Sequence, residues 1–126
     1  MTRSVQEIGQ RLVELCRSGN DSTTLDELYH DDAVSVEAVL MPGSDSREVS
    51  GIEAIRGKHD WWNNTMEMHA ATVDGPYPHG GDRFAVIFEI DATDRTQDQR
   101  FQMKEVAVYH VSGGKIVREE FFYVGE

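Results

Sequence analysis

The sequence predicts an α+β domain, with helices in its first half laid on an antiparallel sheet built by its second. Runs rich in Val, Ile, Phe and Tyr fill 83–91, 99–112 and 115–124, separated by short polar or glycine-containing turns, as successive antiparallel strands would be. The Gly113-Gly114 pair can take the positive φ angles of a two-residue hairpin turn. Before residue 65, by contrast, apolar residues recur mostly at helical spacing.

Val5, Ile8, Leu12, Leu15 and Cys16 give an amphipathic first helix over Ser4–Arg17, ended by Ser18-Gly19-Asn20. Thr24-Leu-Asp-Glu27 has the form of a capping box, with Thr24 as N-cap of a short second helix through Leu25, Leu28 and Tyr29. Ala33 to Leu40 alternates as a strand, with Ala33, Ser35 and Glu37 on one face, and Met41 to Ser46 is a loop. Ser50-Gly-Ile-Glu53 reads as a second capping box, opening a helix to about Asn64. Met66 to Val73 reads as a strand, and the Pro- and Gly-rich 74–82 as a long, bent connection. Helix, helix, strand, helix and a four-stranded meander leave one sheet face to be covered by the helices. A strongly curved sheet leaves a conical space beneath them.

The chain has 126 residues, 39% hydrophobic and 28% charged, the size and composition of a single globular domain over 1–126. A net charge of −11 with scattered Lys and Arg excludes a basic face for nucleic acid or anionic membrane. No apolar run approaches the ~20 residues of a membrane span, and the start lacks the apolar core of a signal peptide, so a cytoplasmic location is expected. The single cysteine, Cys16, sits on the apolar stripe as a core residue. His30-Asp31-Asp32 lies in a turn where adjacent side chains diverge, so neither metal nor cofactor is expected.

Two residues stand out chemically. Phe101, Met103, Glu105, Ala107, Tyr109 and Val111 share one face of a strand, and Glu105 is the only charge on it. A carboxylate there is paired with a cation, turned outward by a bulge, or open to a pocket as an acid or base. His59 falls on the stripe of Ile52, Ile55, Trp62 and Met66, either as a hydrogen-bonded core residue or as a pocket proton donor and acceptor. Trp61, about a hundred degrees away, suits a rim.

The order of elements resembles the nuclear-transport-factor-2-like (ketosteroid isomerase-like) fold. The phrases Leu28-Tyr-His-Asp-Asp-Ala-Val34, Gly51-Ile-Glu-Ala-Ile-Arg-Gly57 and Gly114-Lys-Ile-Val-Arg-Glu-Glu-Phe-Phe-Tyr123 resemble its SnoaL-like polyketide-cyclase branch. That resemblance implies a cone of three helices on a strongly curved antiparallel sheet. Laid on the ketosteroid isomerase pattern, Asp31-Asp-Ala-Val-Ser-Val-Glu37 places a catalytic base on Glu37. That enzyme's first-helix tyrosine has no counterpart, and the last-strand aspartate of limonene epoxide hydrolase is replaced by Phe121. A two-residue turn at Gly113-Gly114 with no bulge would set Glu120 beside Glu105; the resemblance instead implies a bulge that turns Glu119, Phe121 and Tyr123 inward.

The functional expectation is a cofactor-independent acid/base enzyme of isomerase, cyclase or lyase type, acting on a hydrophobic carbonyl compound. Glu37 or Glu105 would take a proton, His59 and Tyr123 would donate to the enolate oxygen, and Tyr29, Trp62, Phe88 and Met103 would form apolar walls. The alternative is a non-catalytic ligand-binding or dimeric interaction module, since no catalytic set of the fold is complete. Val106 and Val108 on the outer sheet face, with Phe121 or Phe122, suggest a homodimer.

Overall fold

The structure is a computed structural model that describes residues 3–124. Helix α1 spans Val5–Arg17 and opens on a capping box: Glu7 N donates to Ser4 Oγ at 3.1 Å and Ser4 N to the Glu7 carboxylate at 3.0 Å. Its stripe of Val5, Ile8, Leu12 and Leu15 is buried, and the chain leaves it through Gly19 at φ 77°.

Helix α2, Asp21–Leu28, starts earlier than the Thr24 capping box predicts. Asn20 is its N-cap, and Thr24 lies inside it, donating to the Asp21 carbonyl at 2.5 Å. Glu27 turns instead to α1, accepting from Arg11 at 2.7 and 2.9 Å and from Arg3 at 3.0 Å. Two guanidinium partners outweigh one cap N–H.

Helix α3, Ile52–Thr65, likewise lacks its expected cap: Gly51 at φ 94° is the N-cap. Ser50 belongs to a short strand β2, Glu48–Ser50, and is paired with Val34 of β1, so its backbone is committed to the sheet. Strand β1 runs Tyr29–Val36, several residues earlier than the alternation suggests, because the chain passes from α2 straight into pairing with the last strand. Beyond it Glu37 N donates to the Arg47 carbonyl at 2.8 Å.

The long strands are β3 (Met66–His79), β4 (Arg83–Asp94), β5 (Gln99–Ser112) and β6 (Lys115–Phe122). Strand β3 continues through Pro76 and Pro78, where a bent connection was expected. It lies at the sheet edge, and its register shifts between Asp74 and Tyr77, so the missing N–H groups cost few ladder bonds.

The six strands form one sheet in the order β2-β1-β6-β5-β4-β3. It is mixed rather than antiparallel throughout, because β1 pairs parallel with β6. The chain between β1 and β6 supplies the long connection that a parallel pair needs. The curved, unclosed sheet under three helices is the nuclear-transport-factor-2-like cone.

Helices α1 and α2 close one end of this cone. Ile8, Leu12, Leu25 and Leu28 pack on Phe84, Val86, Ala107 and Ile116, all 2% exposed or less, with Phe84 stacked on Tyr109 at 5.0 Å between ring centroids. Contact of α1 with β3 depends on Gly9: a Cβ there would lie 2.7 Å from Pro76 Cβ, inside any tolerable contact. Among the described residues no helix is long and apolar enough to cross a membrane.

Candidate active site

The open end of the cone is a cavity of about 710 Å³ between α1, α2, α3 and the concave sheet face. That volume suits a drug-sized ligand. Register decides what lines it. Val111 pairs with Ile116 across the Gly113-Gly114 turn, but Tyr109 pairs with Glu119 and Ala107 with Phe121, because a bulge between the two registers takes up Val117. The two-residue turn and the bulge therefore coexist. Glu119 and Phe121 face the cavity beside Glu105, while Glu120 and Phe122 point to the outer face.

Glu119 is the deepest charge, 2% exposed. The Tyr29 hydroxyl donates to its Oε1, and Ser35 Oγ to its Oε2 at 2.6 Å. Ser35 in turn accepts from Lys58 Nζ at 2.7 Å. The same ammonium donates to Glu37 Oε2 at 2.8 Å, and the Tyr123 hydroxyl to Glu37 Oε1 at 3.0 Å. Lys58 also stands 5.4 Å from the Phe121 ring centroid, a cation–π distance. One chain of hydrogen bonds thus ties α3 to β1 and β6.

Glu105 is outside that chain. No hydrogen bond to its carboxyl occurs among the described residues. Burial, then the charges of Glu37 and Glu119, push its pKa up to about 7, against a smaller opposing effect of Lys58. Tyr29 and Tyr109 are pushed well above the ordinary phenol value, first by burial and then by Glu119. Both remain hydroxyl donors at neutral pH. Tyr123 is raised too, by burial and by Glu37. Burial pushes the Cys16 thiol on the cavity wall up to about 12, so it is no nucleophile.

Of the residues singled out in the sequence, Glu37, His59, Glu105, Tyr29, Trp62 and Phe88 line the cavity. Phe88 is directly across the ladder from Glu105, and Trp62 packs edge-on against Phe101 at 6.4 Å. His59 Nδ1 is buried with no partner among the described residues. Tyr123 reaches the site through Glu37. Met103 faces a separate depression with Ala70 and Gln102. Trp61 is at the mouth, 37% exposed.

Sequence reasoning did not single out Lys58, Ser35, Tyr109 or Glu119 as functional. Ser35 and Tyr109 were placed on the faces of Glu37 and Glu105, a signal that could have found them. Lys58 carries none, since its neighbour His59 holds the apolar stripe. Among the described residues no three His, Cys, Asp or Glu side chains converge as a metal site.

A three-helix cone with ionisable groups in a ligand-sized cavity defines a class of small-molecule pocket proteins. The chain belongs to the SnoaL-like domain family, whose model matches residues 3–123. It is similar to a Mesorhizobium loti protein proposed to be a SnoaL-like polyketide cyclase, with 36% identity over 96% of this chain and 100% of that one and a TM-score of 0.89. A nuclear-transport-factor-2-like protein from Burkholderia thailandensis shares the fold at 17% identity, over 98% and 92% of the two chains, with a TM-score of 0.78. So does a Catenulispora acidiphila protein of ketosteroid isomerase-like fold, crystallised with trimethylamine, at 17% identity, 98% and 87% coverage and a TM-score of 0.69. No curated protein matches the chain.

Proposed function

We propose that the protein is a cofactor-independent acid/base enzyme of isomerase, cyclase or lyase type, acting on a hydrophobic carbonyl compound in the cone. The observation that carries this reading is Glu105: a carboxyl on the cavity wall, without a hydrogen-bond partner among the described residues, whose pKa burial and the neighbouring Glu37 and Glu119 push up to about 7. A base with that proton affinity is half ionised at neutral pH and can both take and return a proton.

Glu37, the other candidate base, has one oxygen engaged by Lys58 and the other by Tyr123, which favours Glu105. In the reaction, the Glu105 carboxylate takes a proton from the carbon α to the carbonyl. The electron pair moves onto the carbonyl oxygen, where His59 and the Tyr109 hydroxyl are the cavity donors to meet it. Return of the proton at another carbon isomerises the substrate; attack of the enolate carbon on a second carbonyl closes a ring, the π pair of that carbonyl becoming an alkoxide that takes the proton back from Glu105. Trp62, Phe88 and Phe121 supply apolar wall, and the surrounding carboxylates disfavour anionic ligands.

The test is proton exchange at the α carbons of a panel of cyclic and aromatic ketones in D2O near pH 7. Wild-type protein is expected to catalyse exchange into at least one of them, and Glu105→Gln to lose about 10²–10⁴-fold. Ketones that bind without any exchange would instead support a non-catalytic binding module.

A homodimer through the outer sheet face belongs to the same proposal. Val106 and Val108 lie there beside Phe122, which is 50% exposed. Sedimentation is expected to give twice the chain mass at micromolar concentration.

A further inference from the structure

Lys58 is the one cation inside the cavity among the described residues. Its side chain is 16% exposed, and that of its partner Glu37 is 14%. The other cation on the wall, Arg17, is at the mouth, where its guanidinium donates to the Val73 carbonyl at 3.0 and 2.8 Å. Four carboxyls share the wall with these two: Asp21 from α2, Glu37 after β1, Glu105 from β5 and Glu119 from β6. Around Glu105 the titratable groups are completed by Cys16 of α1, Tyr29 of β1, His59 of α3, Tyr109 of β5 and Tyr123 after β6.

The hydrogen bonds fix how the single positive charge is used. Ser35 has one hydroxyl proton, and it goes to Glu119. The lone pair left behind accepts from Lys58, so the ammonium orients the hydroxyl that serves Glu119 while it pairs directly with Glu37. Both oxygens of Glu119 and both of Glu37 are then occupied. These two carboxylates repel a charge on Glu105, and Lys58 favours it. No hydrogen bond joins Lys58 to Glu105, so that influence is through space.

We infer that Lys58 is a positioning residue of the site: it holds Glu37 directly and Glu119 through Ser35 in one hydrogen-bonded network, and through its charge it sets how readily Glu105 exchanges its proton. This rests on the reading of Glu105 as the base, and it assigns Lys58 a part that contact with substrate does not require.

The experiment is a carboxyl-carbon NMR titration of Glu105 in full-length wild type, Lys58→Met and Lys58→Arg, with amide spectra recorded to confirm the fold. Removing a charge some ångströms away in a medium of effective dielectric ~20 is expected to raise the Glu105 midpoint by about one unit in Lys58→Met. The ionised fraction at pH 7 then falls from about one half to about one tenth, and α-proton exchange falls with it. Lys58→Arg keeps the charge and is expected to keep the midpoint within a few tenths of a unit. If Lys58→Met does not fold, Lys58→Gln, which keeps a hydrogen-bond donor, takes its place with the same expected rise.

A wild-type midpoint near 7 that the neutral variants leave unmoved, or that Lys58→Arg raises as much as they do, overturns the role of Lys58 and leaves the base intact. A wild-type midpoint in the ordinary glutamate range overturns both.

Discussion

The two ends of the β4–β5 hairpin are built from similar residues and do opposite things. At one end Phe84, Val86 and Ala107 are fully buried, 0% exposed, under α1 and α2. At the other, Phe88, Ile90 and Glu105 face a cavity, with α3 standing off from them. The strand pairing is continuous from Arg83–His110 to Asp94–Gln99, so the difference is not in the sheet. It comes from what covers the sheet: the leucine-rich faces of α1 and α2 fill the closed end, while α3 turns His59 and Lys58 towards the open one. A chain can therefore hold an ionisable pocket without a weak scaffold, because packing at one end of the same strands fixes the geometry at the other.

The largest test of this contrast is truncation. Phe84→Ala should cost about 3–5 kcal/mol in urea unfolding, because it opens a void in close-packed surroundings, whereas Phe88→Ala should cost less than about half of that. Equal losses would mean that the cavity end carries as much of the stability as the closed end.

Next is the contrast between the two glutamates. Glu119→Ala leaves the Tyr29 and Ser35 hydroxyls without their acceptor and should lower stability by about 2–4 kcal/mol. Glu105→Gln removes a carboxyl with no such partners, and at pH 8 it should leave stability unchanged or higher.

The pH dependence sharpens the same contrast. Because the folded state raises the Glu105 pKa from 4.5 to about 7, it holds the proton more tightly than the unfolded chain does between those values. The stabilisation is complete below about pH 4.5 and is lost as pH rises through 7. It amounts to at most about 3 kcal/mol. Thermal melts from pH 5 to 8 should show that decline, and Glu105→Gln should flatten it. The smallest effect belongs to the surface: Arg11→Ala, which breaks a partly exposed pair with Glu27, should lower the urea midpoint least of these variants, and by less still in 0.5 M salt.

Much of this contrast was legible in the chain. The stripe of Ile8, Leu12 and Leu15, the hairpin at Gly113-Gly114, and Glu105 and His59 on apolar faces follow from local periodicity, which depends only on residues a few positions apart. The capping boxes at Thr24 and Ser50 failed because their members had stronger partners elsewhere: Glu27 with two arginines of the α1 region, Ser50 with the strand opposite. Prolines 76 and 78 suggested a break, yet their strand is at an edge, a fact about neighbours and not about sequence.

By itself the sequence determined the α+β class, the helices that cover the sheet and the place of Glu105 on the apolar face of its strand, since side-chain direction alternates along any strand. Only the tertiary structure decided that Glu119 and not Glu120 faces the cavity, that β1 runs parallel to β6, and that Lys58 joins Ser35 to Glu37. A one-residue bulge reverses every face beyond it. A lysine stem long enough to reach either solvent or a buried carboxylate is settled only by what stands opposite.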